Sequence, residues 1–288
     1  MVISLTTDFG DSDGYVGTMK GVMAGIAPGV TTIDITHAIE PQGVAEAAYV
    51  LWTSLRYFPP GSVHLAVVDP GVGTARRAIA SQTAWGVLVG PDNGVFSFVW
   101  AAAPSTLTVA LENPAYRLGD VSATFHGRDV FAPAAAHIAA GVALEAFGPA
   151  VTDMVRLPLP SVDEVAGGVR GAVIAVDRFG NAITSIGRLI WDRTRLHLAS
   201  AFGQMLSGKT LSATFDADAV TVVGGRRALG PVRRTYGEVG VGEPLALIGS
   251  EGMLEIAVNR GHAARELGLG VGDRVSLICG TLKGADHG

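Results

Sequence analysis

The run His64-Leu65-Ala66-Val67-Val68 is the segment that most limits how this chain can fold. Five almost wholly apolar residues rich in Val and Leu read as a strand buried on both faces. The run ends in Asp69-Pro70-Gly71-Val72-Gly73-Thr74-Ala75-Arg76-Arg77, a tight turn that places a carboxylate at the strand's carboxyl end. Similar strands alternate with helical patterns through the first half of the chain, which predicts a sheet with helices on both faces. Ligands of open α/β sheets bind at the carboxyl ends of the strands, so Asp69 stands where chemistry is expected, with Arg76 spaced to fold back toward it.

The patterning predicts strands over 2–6, 31–35 and 64–68, and a strand pair around 78–81 and 86–89. Helices are expected over 14–27, with Tyr15, Met19, Val22, Met23 and Ile26 on one face, and over 44–58, stopped by Pro59-Pro60-Gly61. Asp13 is the expected N-cap of the first. Gly90-Pro91-Asp92-Asn93-Gly94 reads as a dense turn shaping a site wall, before a short helix near 95–100; another helix is expected over 129–140. Leu157-Pro158-Leu159-Pro160-Ser161 opens an extended linker over 157–166. Beyond it, short β runs over 171–176, 183–186, 211–215, 219–223, 245–248 and 254–258 suggest a small barrel or sandwich. The expected fold is an α/β domain over 1–156 and a smaller all-β domain over 167–288.

Composition removes several classes. Of 288 residues, 48% are hydrophobic and 16% charged, yet no apolar run is long enough for a membrane span; 138–151 comes nearest and carries Glu145 and two glycines. The N-terminus reads as a first strand, not a signal peptide, and the single cysteine, Cys279, excludes an internal disulfide and fits a reducing cytoplasm. A net charge of −5 without a basic stripe argues against nucleic acid. So apolar a chain is expected to hide surface in an oligomer.

Metal and nucleotide motifs fail. Asp8-Phe9-Gly10-Asp11-Ser12-Asp13-Gly14 hints at calcium, but an EF-hand would start at Phe9 and close at Lys20. The chain has no H-x-x-x-H or C-x-x-C pair, no P-loop, and no G-x-G-x-x-G after the first strand. Three polar features remain. Asp8 ends a strand and can accept from both hydroxyls of a ribose, or serve only to end the strand. His126, in Thr124-Phe125-His126-Gly127-Arg128-Asp129, precedes a helix and has the Asp69–Arg76 loop as a candidate partner. Asp177-Arg178-Phe179-Gly180-Asn181 suits an amino-acid head group and a base, or is a turn built on Gly180-Asn181.

Together, TTDFG, VVDPGVGTARR, TFHGRDVFAPAAAHIA, DRFGNAIT and LEIAVNRGHAA resemble, in order and over nearly the whole chain, the S-adenosyl-L-methionine (SAM) hydroxide adenosyltransferases. The resemblance implies SAM hydrolysis to adenosine and methionine, with SAM as substrate and no cofactor or metal. It implies catalytic Asp69, Arg76 and His126. Asp8 would hold the ribose and Asp177 the methionine ammonium. Phe179 and Asn181 would contact adenine, Tyr236 would stack on it, and the main chain from Val258 to Arg260 would bond its edge. Ser250 would hold the methionine carboxylate, although Glu251 stands where halogenating relatives carry Arg. Those relatives carry Tyr where Asp69 stands, and the fluorinating ones Ser where Gly127 stands. A carboxylate beside a halide site costs several kcal/mol, so Asp69 argues for hydrolysis. A SAM or adenosine sensor without chemistry is the competing reading, a halogenase a remoter one. The resemblance further implies a cytoplasmic homotrimer with sites between the first domain of one subunit and the second domain of another.

Overall fold

A computed structural model of the chain describes residues 1–206 and 209–279, and it divides into two compact units, Met1–Pro158 and Leu159–Gly288. The first holds strands β1 (Val2–Thr7), β2 (Thr31–Thr36), β3 (Val63–Val67), β4 (Ala78–Thr83), β5 (Gly86–Pro91) and β6 (Leu107–Ala110). They form one sheet in the order β2-β1-β3-β5-β4-β6; the pairs among β2, β1, β3 and β5 are parallel, and β4 pairs antiparallel with both β5 and β6.

Alternation along β3 shows why this sheet needs cover on two sides. Val63, Leu65 and Val67 join a core with Met19 and Met23 of α1 (Tyr15–Ile26) and with Ala135 and Ala136, which lie further along the chain. Ala66 and Val68 join a separate core with Ala47 and Leu51 of α2 (Val44–Ser54) and Val99 and Trp100 of α3 (Ser97–Ala102). Successive side chains of one strand thus feed opposite layers. The order 2-1-3 makes the gap between β1 and β3 a switch point of the parallel sheet, and Asp8 and Asp69 follow these two strands.

Three expectations in this unit are corrected. Asp13 does not cap α1; its N-cap is Gly14, without a side-chain hydrogen bond. The helix expected to reach residue 58 ends at Ser54 and passes into a single 3₁₀ turn, Leu55–Tyr57. The helix expected over 129–140 is a π turn, Gly127–Phe131, followed by α4 (Ala132–Ala139). Pro133 sits in the first turn of α4 and has no N–H, so the Asp129 carbonyl accepts from Leu118 N instead, at 2.9 Å.

The second unit begins with β7 (Asp163–Val165), which pairs antiparallel with β8 (Gly168–Val176). The segment expected as a linker therefore ends in sheet. Next come β9 (Ala182–Thr184), β10 (Leu189–Asp192), β11 (Arg195–Ala199), β12 (Met205–Leu206), β13 (Lys209–Thr210) and β14 (Ser212–Asp216). The unit is completed by β15 (Val220–Gly224), β16 (Arg227–Leu229), β17 (Pro244–Ile248), β18 (Leu254–Val258), α5 (Ala263–Leu267) and β19 (Arg274–Cys279). An eight-stranded antiparallel sheet runs β16-β15-β19-β8-β9-β18-β17, with β7 added at β8. It is nearly closed, since a bridge from Arg233 to Leu247 ties the chain after β16 to β17 at the far edge. Val169, Val173, Leu196, Val222, Leu254, Ile256 and Leu277 fill its core.

Candidate active site

The loop after β3 and the loop before His126 meet where a side chain cannot fit. Gly73 has φ +75°, and a Cβ there would collide with the carbonyl of Ala123, so only glycine lets the loop after β3 lie against the loop before His126. Arg76 folds back onto Asp69 as the spacing predicts. Its Nε donates to Asp69 Oδ1 at 3.0 Å, its Nη2 donates to Asp69 Oδ2, and the same Nη2 reaches His126 Nδ1 at 3.1 Å. Nη1 donates to the Arg77 carbonyl at 3.1 Å, and the guanidinium lies 5.2 Å from the Phe131 ring centre. The pair is buried, at 8% side-chain exposure for Arg76 and 5% for Asp69.

The arrangement fixes protonation states. A guanidinium only donates, so His126 Nδ1 must offer its lone pair and the neutral ring carries its proton on Nε2. Burial, then the Arg76 charge, hold His126 below its ordinary pKa of 6.5. Burial pushes the Asp69 carboxyl above the ordinary 3.8, against the opposing pull of Arg76. The site thus offers a carboxylate more basic than usual and an imidazole that donates.

These groups face a cavity of about 430 Å³ bordered by Asp8, Gln42, Asp69, Phe125 and His126. Asp8 Oδ2 accepts from Gln42 N at 2.8 Å, which pins the side chain at the rim. Phe9, Tyr15 and Phe125 stack in a cluster with ring centres 5.0–5.9 Å apart, giving the cavity an aromatic wall. Asn93 Nδ2 donates to the carbonyl of Val68, just before Asp69, at 2.9 Å. Asp92 accepts from Arg77 Nε at 2.9 Å and from Val155 N at 2.8 Å. Neither borders the cavity; they bond the chain on either side of the Asp69 loop, at Val68 and Arg77. His37 is a buried loop residue, bonded through Nδ1 to Thr7 Oγ1 at 2.9 Å.

A second set of expected residues gathers in the second unit, around a cavity of about 530 Å³ bordered by Phe179, Asn181, Tyr236, Val258 and Arg260. Asp177 organises it from below. Its Oδ1 accepts from Phe179 N at 2.9 Å and Asn181 N at 2.8 Å, while Oδ2 accepts from Asn181 Nδ2 at 2.9 Å. Asn181 Nδ2 also lies 3.3 Å from Tyr236 OH. Phe179 is 77% exposed and Tyr236 42%. Ser250 does not border this cavity; it lies exposed in the turn between β17 and β18.

The family model for the SAM hydroxide adenosyltransferase N-terminal domain matches residues 3–148, and that for the C-terminal domain matches 171–276. This chain belongs to that family. It is 45% identical, over 94% of its length and 97% of the relative's, to a protein of Thermus thermophilus named (R)-S-adenosyl-L-methionine hydrolase. A protein of the same name from Salinispora tropica is 42% identical, over 96% of this chain and 98% of the relative. A solved structure of an uncharacterised conserved protein from Thermotoga maritima is similar with a TM-score of 0.81 and 36% identity, covering 96% of this chain and all of that one. Fluorinases are more distant, 29% identical in an Actinoplanes species.

For a hydroxide adenosyltransferase, the residue that sequence reasoning missed is Glu255. It lies on β18 among apolar neighbours, hydrogen-bonded to Tyr236, and a Cβ at Gly249 would overlap its carboxylate. Burial, then the Asp177 charge, push its carboxyl up to about 7. The available signals were a lone acid inside Leu254-Glu255-Ile256-Ala257-Val258 and a glycine at 249. Among the described residues, no group of three His, Cys, Asp or Glu could hold a metal ion, and no helix is long and apolar enough to cross a membrane.

Proposed function

We propose that this chain hydrolyses S-adenosyl-L-methionine to adenosine and methionine, by attack of a water oxygen on C5′. The observation that carries the proposal is the buried Asp69–Arg76 pair bonded to His126, with Asp69 and His126 at the wall of a cavity that Asp8 also borders. SAM supplies its own leaving group, a sulfonium that departs as a neutral thioether. What the protein must supply is a positioned oxygen nucleophile. Asp69, raised by burial, accepts the water's proton, while His126 Nε2–H donates to the water oxygen and aims it. Arg76 spends Nε and Nη2 on Asp69 and His126, so it serves as the positioning residue and acts on the nascent hydroxide through its charge.

Asp8 would hold the ribose. Phe179, Asn181, Tyr236 and the Val258–Arg260 main chain would take the adenine, and Asp177 the methionine ammonium, with Ser250 left as a candidate for the carboxylate. The hydrolases of Thermus thermophilus and Salinispora tropica are named for the R configuration at sulfur, and we carry that preference over to this chain. Hydrolysis is favoured over halide transfer by Asp69 and by Gly127, where a Cβ would lie 3.1 Å from both Met19 Sδ and the Phe125 ring. Phe179 is too exposed to serve a core, which supports a homotrimer in which a neighbouring subunit and the substrate cover it.

Oxygen-18 water tests the reaction: the label should enter the 5′-hydroxyl of adenosine and not methionine, with the R epimer of SAM consumed faster than the S. Unlabelled adenosine would exclude attack by water, and intact SAM after incubation would leave a sensor. Mixing Asp69→Asn with Asp177→Ala subunits should recover activity through hybrid oligomers. Stable, exchanging subunits that fail to complement would place each site within one chain.

A further inference from the structure

His126 borders two cavities. Asp69 and His126 line the one described above; Arg76 and His126 line another, of about 290 Å³, with Arg77, Glu112, Arg117 and Val121. The contact between Arg76 and His126 is thus a partition between a substrate chamber and a rear chamber. Glu112 and Val121 are exposed at its mouth, Val121 by 42%, while Val130 at its floor is buried. The rear chamber therefore opens to solvent.

Among the described residues, two of its lining charges, Arg117 and Glu112, stand outside any ion pair. Arg76 is paired with Asp69, and Arg77 with Asp92 and Asp153. Arg117 instead donates through Nη2 to the Leu111 carbonyl, and its buried Nε has no protein partner. A buried N–H left in this state calls for water or an anion.

The reaction needs such a chamber. One water is consumed, its oxygen bonding C5′ as the C5′–S bond breaks with its electron pair passing to sulfur, and one proton is left over. Ribose in the substrate chamber blocks that side while this happens. From the shared His126 and the unpaired Arg117, we infer that the rear chamber is the solvent port of the hydrolase, admitting water or hydroxide to His126 while substrate is bound, and binding small inorganic anions at Arg117. Arg117 inside the chamber attracts hydroxide while Glu112 at the mouth opposes it, and hydroxide moving in is equivalent to a proton moving out. After burial and Arg76, Arg117 adds to the forces that keep His126 neutral.

The inference rests on the hydrolase reading, and one assay separates the two. Val121→Trp closes the mouth at an exposed position without touching the core. It should lower kcat about tenfold or more while the KM for SAM stays unchanged. Nitrate should inhibit the wild type without competing with SAM, and Arg117→Gln should weaken that inhibition. Wild-type turnover that Val121→Trp leaves unchanged, or a rise in KM with kcat intact, overturns the port alone. A wild type that releases no adenosine overturns the hydrolase reading and the port with it.

Discussion

The two clusters of site residues are built on opposite principles. In the first domain, Asp69, Arg76 and His126 are bonded to one another, the ion pair buried and His126 half-buried, and their protonation states follow from that bonding. In the second, Phe179 and Tyr236 stand exposed, and the oxygens of Asp177 are spent on the turn that carries Phe179 and Asn181. The first is rigid before anything binds, as a site must be that aims a water. The second presents aromatic faces and an acid-rich floor, which suits recognition of a base and a cation. On the proposed reading, the first domain carries the chemistry and the ribose contact, and the second the contacts to the base and the methionine.

The largest effect should come from breaking the first cluster. Asp69→Asn removes the proton acceptor and His126→Gln the aimed donor, and each should cost ~10²–10⁴-fold in kcat with little change in KM. Because Asp69 is half of a buried ion pair, its variant should also lose thermal stability, whereas the His126 variant should not. A KM defect in both variants, with kcat preserved, would erase the division between the domains.

A smaller effect concerns a titratable group of the first domain outside the chemistry. His64 Nε2 donates to the Trp85 carbonyl at 2.9 Å, so Nδ1 accepts from Ser4 Oγ at 2.8 Å, and burial pushes the ring down to about 4 from 6.5. The unfolded chain then binds more protons than the folded one between pH 6.5 and about 4. Stability is complete above that window and falls as pH drops through it, by about 3 kcal/mol in all. Melting temperature against pH should show this slope in the wild type, and His64→Gln should flatten it. Equal slopes would mean that another group carries the acid sensitivity.

What the sequence exposed depended on how far away its causes lay. The run at 64–68 was legible because burial on both faces writes itself into consecutive residues, and Asp69 follows from it. Motif order carried Arg76 and His126, and the fold brings them together with Asp69 as expected. Strands β10 and β11 were missed because Leu189-Ile190-Trp191-Asp192 and Arg195-Leu196-His197-Leu198-Ala199 are short and mixed with polar residues on exposed faces. The π turn, closed by Ala132 N–H to the Gly127 carbonyl, was missed although its signal is local: Pro133 withholds the N–H that the Asp129 carbonyl would have accepted. Glu255 was hidden because alternation along β18 reads it as an outward charge, whereas its raised pKa comes from burial first and then from Asp177, far off in the chain.

Among the binding residues, Phe179 should matter most. Replacing it with Ala removes a ring held 77% exposed for a partner, and aromatic stacking of this kind is worth about 0.5–1.5 kcal/mol. KM should therefore rise severalfold, up to about tenfold, with kcat nearly unchanged. A fall in kcat at constant KM would give Phe179 a part in the chemistry and blur the comparison.

The finest test lies in Glu255, where the second domain has its own titration. SAM carries positive charge at sulfur and at its ammonium, so an ionised Glu255 beside Asp177 attracts it and a protonated one does not. With the carboxyl pushed up to about 7, affinity for SAM should strengthen as pH rises through that value. The same linkage runs in reverse: the bound cation favours the ionised form, so binding below pH 7 should release a proton, readable by calorimetry in buffers of different ionisation enthalpy. Glu255→Gln should hold affinity at the wild type's low-pH level across the range, a change of only a few-fold at neutral pH. If the variant keeps the wild-type slope, Glu255 only orients Tyr236, and the cation is read by Asp177 alone.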